Sequence, residues 1–468
     1  MLKFNYKLLI LIILGIILWF LPVESLDKKS WHLLVIFIVT ILGIVSNALA
    51  MGAIAFLSLT VCVITNTLSL KDALSGFSSH TTWLIIAAFF IARTLVLSGL
   101  GERIAYLLIS KFGKNSFGLA YSLIITELIL SPMIPSTTAR GGGIMFPVVN
   151  SLASVYMNLD KPLLKTSRFL ISLCFHTNVI TCAIFLTAMA GNSLIADLAR
   201  SVGIELTWLT WATFAIVPGI INLALLPWLL YIILKPERQS SHEIPLRAKQ
   251  VLKDMGKMKH SEKIMLATFV FMLFLWVAGP SLPSPFNFNA TVTALLGFSI
   301  LLVTGIANWK ECVNDKGVWE TVMWFATLLM IATKLSEYGI INWLKDEISI
   351  LIGHRTGYTI VIILILLFFY IHYFFASVTA HATVMYTTFV LLIISMGVNP
   401  LVAALALASL ANLSGGLTHY GINTAPIYFS ANYFSVKEWW KVGFIVCTFN
   451  LILWLTIGYI WLYILGWL

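Results

Sequence analysis

Apolar runs recur along the whole chain, separated by short polar segments. Leu8–Leu21, Leu33–Val45, Ile264–Val277 and Tyr358–Phe375 are examples. Each, with its flanks, approaches the ~20 residues that carry a helix across ~30 Å of hydrocarbon. Hydrocarbon offers no hydrogen-bond partner, so such runs must satisfy their backbones internally as helices. The pattern predicts an all-α polytopic membrane protein with eleven spans, near 7–22, 31–48, 50–66, 82–98, 168–190, 208–234, 263–280, 290–306, 318–334, 399–416 and 439–466. Two further apolar stretches, 116–157 and 357–397, are polar or small at their middles: Ser131-Pro-Met-Ile-Pro-Ser-Thr-Thr-Ala-Arg-Gly-Gly-Gly143 and Ala376-Ser-Val-Thr-Ala-His-Ala-Thr383. Proline and glycine break helices, and broken backbone at membrane depth survives only under protein or beside a watery cavity. These stretches read as re-entrant hairpins, with kinked full spans as the alternative.

Composition strengthens this reading. The chain is 60% hydrophobic and 10% charged, with a mean hydropathy of +0.96, where a soluble domain carries about 25% charged residues. The first run follows Lys3 and Lys7. No small-x-small cleavage site follows it in Leu21-Pro22-Val23-Glu24, so it reads as an uncleaved anchor. Five scattered cysteines without a CxxC suggest neither a metal site nor a disulfide framework. The net charge of +10 is no nucleic-acid footprint, because the bases sit at span ends, where they set topology. With a cytoplasmic N-terminus and the C-terminus outside, twenty Lys and Arg fall on the cytoplasmic side. Six fall opposite: Lys28, Lys29, Lys71, Arg200, Lys345 and Arg355. The densest cluster runs from Lys235 and Arg238 to Lys263, in a loop long enough for a short surface helix.

An internal repeat organises the spans. An offset of 241 takes Trp83 to Trp324, Arg93 to Lys334, Ser136 to Ser377, Thr138 to Thr379, Ala139 to Ala380 and Arg140 to His381. An offset of 228 takes Asn222 to Asn450 and Tyr231 to Tyr459. The span count makes the halves run in opposite directions, an inverted-topology repeat of the kind that places substrate near the midplane. The expected division is 1–66 as N-terminal scaffold helices and 67–235 as a first repeat with an inward hairpin. A basic cytoplasmic loop at 236–262 and a second repeat at 263–468 with an outward hairpin follow.

The chemistry concentrates at the hairpin middles. Ser136-Thr137-Thr138 and Ser377-Val378-Thr379 put hydroxyls and freed backbone N–H groups at helix breaks, which suits an anion. Two such tips match a ligand with two carboxylates. Arg140 is costly within a bilayer, by ~2.5 kcal/mol or more, and must face a cavity or a partner. Glu127, earlier on the same hairpin, is the structural alternative. Thr187-Ala-Met-Ala-Gly191-Asn192 breaks the fifth span. Leu413-Ser-Gly-Gly-Leu-Thr418 through Asn423-Thr424-Ala-Pro426 unwinds the tenth. These add Asn192, Thr418, Asn423, Thr424 and Pro426 to the candidate substrate-binding residues. His80, His260 and His372 carry no assigned role.

Pro135-Ser-Thr-Thr-Ala-Arg-Gly-Gly-Gly-Ile-Met-Phe-Pro147 resembles the hairpin signature of the divalent anion/sodium symporter family. Leu417-Thr-His-Tyr420, Asn423-Thr-Ala-Pro-Ile-Tyr-Phe429 and Trp439-Trp440 are similar to the C-terminal region of its 2-oxoglutarate/malate translocator branch. The resemblance covers essentially the whole chain. It implies a homodimer with scaffold and transport domains that moves substrate by an elevator-like shift. It also implies a Ser-Asn-Thr at each tip, binding carboxylates and, through asparagine, sodium. Thr137 and Val378 stand where those asparagines would be. The expectation is therefore a transporter, not an enzyme, in a bacterial plasma membrane and without cofactor. It would exchange 2-oxoglutarate, succinate or malate for a counter-substrate, with Arg140 and His381 as fixed positive charges in place of sodium. A sodium-coupled dicarboxylate or citrate symporter is the alternative. An intramembrane protease is disfavoured, since His242-Glu243 continues Ile-Pro-Leu and does not complete HExxH. Channel and ion-carrier readings differ in flux saturation and in dicarboxylate binding.

Overall fold

The computed structural model describes residues 6–21, 25–157, 162–237, 243–283, 286–352 and 357–468. Arg238, His242, Arg355 and Pro22–Glu24 lie outside them. All regular structure among the described residues is helical. Eight helices among them are long and apolar enough to cross a membrane: Lys28–Val45, His80–Ser98, Leu164–Ile184, Trp208–Leu234, His260–Ala278, Lys316–Glu337, Val378–Ser395 and Val436–Leu465. Six shorter apolar helices accompany them, among them Tyr6–Trp19, Met51–Ile64, Ala290–Val303 and Pro400–Ser414. Polar side chains start several of these helices where hydropathy alone gives no boundary. Asn115, Asn289 and Asp315 each accept a hydrogen bond from a backbone N–H of the first turn, and Ser435 forms a reciprocal cap with Glu438.

Both expected hairpins are helix–break–helix. The first runs Ser116–Leu130, an irregular stretch 131–136, a π-helical stretch Thr138–Met145 entered through the helical Thr137, and Phe146–Met157. The second runs Tyr358–Tyr370, a tight turn Ile371–Phe374 and Val378–Ser395. The fifth span ends at Ile184, turns through Leu186–Ala188 and restarts as Ala190–Arg200. Pro400–Ser414 gives way to an irregular stretch before the short helix Ala425–Phe429. Among the described residues, three helices of 13 residues lie outside the span pattern, Leu100–Phe112, Ile340–Ile352 and, in the basic loop, Glu243–Met255, beside the short turns Leu70–Ala73 and Trp309–Val313.

The chain folds as two compact units, each assembled from three separated segments. One comprises Met1–Ile86, Ser193–Leu206 and Asp315–Ala408. In it Met51–Ile64 packs on Lys316–Glu337, and the Gly52 N–H donates to Glu320 Oε1 at 2.7 Å. Lys334 is paired there with Asp72 at 2.9 Å and Glu337 at 2.7 Å. The other comprises Ala87–Asn192, Thr207–Asn314 and Ser409–Leu468. Its centre is Leu164–Ile184, with Trp208–Leu234 against it and Val436–Leu465 against that in turn. Leu100–Phe112 packs on both Ser116–Leu130 and Glu243–Met255. Arg103 ties that group together, its Nε donating to Glu262 at 2.7 Å and its Nη1 to the Gly256 carbonyl at 2.9 Å.

Candidate functional site

The first hairpin tip belongs to the second of these units. Helix Ser116–Leu130 ends where Pro132 and Pro135 remove two donors, which leaves carbonyls at membrane depth without intrahelical partners. Arg140 takes up carbonyls from this break and from the break in the fifth span. It is fully enclosed, and its Nη1 donates to the carbonyls of Ser131 at 3.4 Å, Ile134 at 2.6 Å and Ala188 at 2.7 Å. Its Nε donates to Glu127 Oε1 at 2.6 Å, and Nη2 lies 3.3 Å from Cys182 Sγ. This is the Glu127 pairing that the sequence left open. A guanidinium keeps its charge under all ordinary conditions, so a buried one needs a carboxylate and a full set of acceptors. Here it has both.

The network continues to the unwound C-terminal stretch. Asn178 Nδ2 donates to Glu127 Oε1 at 2.7 Å, and its Oδ1 accepts from Thr424 Oγ1 at 3.1 Å. Tyr428 donates to the Gly141 carbonyl at 3.0 Å. The fit is close enough that a Cβ on Gly141 would lie 2.9 Å from Thr424 Cγ2, so the tip requires glycine there. The same holds behind the unwound stretch, where a Cβ on Gly443 would meet the Gly416 carbonyl at 2.6 Å. Candidate residues of three segments thus converge within this unit: Ser136–Arg140, Asn192, and Thr418–Pro426. Asn192 is buried, donating to the Cys182 carbonyl at 2.8 Å and accepting from Asn412 at 2.8 Å. Thr137, Thr418 and Thr424 are buried, Ser136 is half-buried, and Thr138, Asn423 and Pro426 are exposed. Ser136 Oγ accepts from the Ala139 N–H at 3.2 Å, which caps the helix that follows.

The second tip belongs to the first unit. Ser377 Oγ accepts from the Thr379 N–H at 3.2 Å, again capping the helix that follows. Ser377, Val378, Thr379 and His381 are all buried. The His381 imidazole sits among rings, with centroids 4.5 Å from Phe368, 5.1 Å from His372 and 5.2 Å from Phe375.

Asn178 and Tyr428 had no place among the sequence candidates. The available signal was a polar run, Ser172, His176, Thr177, Asn178 and Thr181, inside a helix buried nearly from end to end. Among the described residues no cluster of three His, Cys, Asp or Glu could hold a metal.

Three comparisons with known proteins bear on this arrangement. The sodium:sulfate symporter transmembrane region family matches residues 2–468. A Bacillus subtilis (strain 168) protein named, provisionally, as the malate transporter YflS is 45% identical over 98% of this chain and 96% of its own length. The Arabidopsis thaliana dicarboxylate transporter 1, chloroplastic, is 43% identical over 97% of this chain and 82% of its own. Among solved structures, the Neisseria gonorrhoeae MtrF efflux pump aligns with a TM-score of 0.59 at 13% identity, over 97% of both chains. The Alcanivorax borkumensis YdaH transporter aligns at 0.57 and 11%, over 84% of this chain and 87% of its own. At such identities these two speak for the fold alone. The whole-length family match and the relatives agree with the residues quoted above: the chain belongs to the sodium:sulfate, or divalent anion/sodium, symporter family and is a multi-pass membrane transporter of the dicarboxylate type, not an enzyme.

Proposed function

We propose that this transporter exchanges 2-oxoglutarate, succinate and malate across the membrane without sodium, as a homodimer with elevator-type alternating access. The observation that carries the dicarboxylate reading is the matched chemistry of the two tips. Ser136 and Ser377 each accept a backbone N–H at the start of a helix, which leaves the hydroxyl proton free to donate to a carboxylate. Thr138 and Thr379 stand two residues further on, and a helix start favours an anion. Thr137, with Asn423 and Pro426 from the unwound stretch of the same unit, would shape the space around a carboxylate at the first tip, and Val378 would do so at the second. Asn192, Thr418 and Thr424 would hold that stretch in place. The names of the relatives support the same substrate class.

Sodium independence rests on Thr137 and Val378, which offer no amide where the family resemblance expects one. The base beside each tip adds no support to it: Glu127 offsets the charge of Arg140, and His381 lies among the rings of Phe368, His372 and Phe375. A sodium-coupled symporter is the second reading, favoured by the description of the matching family. Liposomes loaded with succinate, or left empty, decide between them when labelled 2-oxoglutarate entry is followed in sodium and in choline. Exchange predicts rapid entry into loaded vesicles in both salts. Uptake into empty vesicles driven by a sodium gradient establishes the symporter instead.

A further inference from the structure

Two buried asparagines lie apart from the tips. Asn222 sits in Trp208–Leu234 and Asn450 in Val436–Leu465, helices that pack together within one unit. They are the pair related by the offset of 228. Both are fully buried, and neither side-chain nitrogen nor oxygen of either has a hydrogen-bond partner among the described residues. Trp454 Nε1, one turn beyond Asn450, is likewise buried and unpartnered.

Helix periodicity places the two amides together. The helices are antiparallel, since Trp461 Nε1 donates to the Thr213 carbonyl at 2.7 Å while Trp454 packs against Phe214, centroids 6.4 Å apart. A Cβ on Gly219 would lie 3.6 Å from Trp454 Cζ2, so Gly219 and Trp454 mark the shared face. Asn222 follows Gly219 by three residues and Asn450 precedes Trp454 by four, spacings that stay on one helix face. In an antiparallel pair both steps run the same way, by roughly 5 Å along the axis. Pro218 and Pro227 lie inside the first helix beside this level. Each lacks the N–H that would meet the carbonyl four residues earlier, at Phe214 and Leu223. The helix pair therefore gathers amide donors, amide acceptors and a freed backbone carbonyl in an apolar interior. Buried water is held where about three otherwise unmet polar groups converge, and proline breaks in membrane helices are commonly satisfied this way.

We propose that Asn222 and Asn450 form a binding site for ordered water, which bridges the two amides and the Leu223 carbonyl and pins the repeat-related helices to each other. The test is a double-substitution cycle on the full-length transporter, with N222L, N450L and N222L/N450L. Melting temperature is read in sodium, potassium and choline buffers. A shared water predicts that either single change lowers the melting temperature. The double change then lowers it no further than the worse single one, equally in all three buffers. Additive losses, or no loss in either single variant, overturn the shared site. A sodium- or potassium-dependent melting temperature that the double variant abolishes makes the ligand a cation and overturns water. Should the variants fail to fold, a high-resolution map of the unmodified protein serves. Density at hydrogen-bond distance from both amides supports the site, and direct amide–amide contact refutes it.

Discussion

The two hairpin tips share a sequence pattern, Ser-x-Thr-Ala-base, and bury the base in opposite ways. At the first tip Arg140 brings a carboxylate with it, and every remaining donor group faces a carbonyl or a sulfur. At the second, His381 is enclosed by Phe368, Phe375 and His372, with no carboxylate paired to it among the described residues. The difference follows from the side chains. A guanidinium is permanently charged, so its burial is tolerable only as an ion pair with satisfied donors. An imidazole can exist as a neutral ring, and a cage of rings suits it. A repeat therefore conserves where a base stands without conserving what the base does.

Substitutions can break or sharpen this contrast. The largest effect is expected of His381→Arg, which puts a permanent charge into a cage with no counter-ion. A desolvation cost of several kcal/mol should prevent accumulation of folded protein, read by size-exclusion yield after detergent extraction. Arg140→Met should come next, at about 3–5 kcal/mol, because it strands the Glu127 carboxylate. The double change Glu127→Leu with Arg140→Met should recover part of the melting temperature, though the Ile134 and Ala188 carbonyls stay unmet. Full loss in the double variant would mean that the carbonyl contacts, rather than the ion pair, hold the tip. Alanine at Ser136, Thr138, Ser377 or Thr379 should spare the fold and weaken dicarboxylate binding about tenfold each, the value of a hydrogen bond to a charged group. Isothermal titration with succinate measures this. Near-native affinity in all four would remove both tips from the site. The smallest effect on stability is expected of His381→Phe, about 1 kcal/mol. A loss as large as that of Arg140→Met would show that the imidazole has a partner and would erase the contrast.

Most of the helical architecture is legible because hydropathy reports it directly. Span 208–234 coincides with Trp208–Leu234, and both hairpin breaks fall at their proline, glycine or small-residue clusters. Leu100–Phe112 and Ile340–Ile352 escape because they are amphipathic, and a window tuned to continuous apolarity averages their two faces away. They start 240 residues apart, so the repeat offset would have found the second once the first was recognised. Glu127 could be named as a partner because it lies on the same hairpin as Arg140. Asn178 could not, because it joins Glu127 to Thr424 over sequence separations of 51 and 246 residues, and no local pattern encodes such a meeting. The packing demand at Gly443 is equally invisible, since only the folded chain brings the Gly416 carbonyl against it.

The alternation of segments between the two units carries a consequence for biogenesis. The chain passes from one unit to the other five times, at residues 86, 192, 206, 314 and 408. Neither unit can finish as it leaves the ribosome. The one begun first gains its last segment only at Ala408, and the other needs the final helix Val436–Leu465. At ~5–20 residues per second, the helices that precede residue 192 would wait on the order of ten seconds or more for their partners. Throughout that interval Arg140 and Glu127 are already neighbours in sequence while Thr424 has yet to be made. The ion pair of the first hairpin, with its contacts to Asn178, Cys182 and Ala188, can thus form early, while the links to Thr424 and Tyr428 must wait. It would shield the most costly charge in the chain from lipid until the rest of the network arrives.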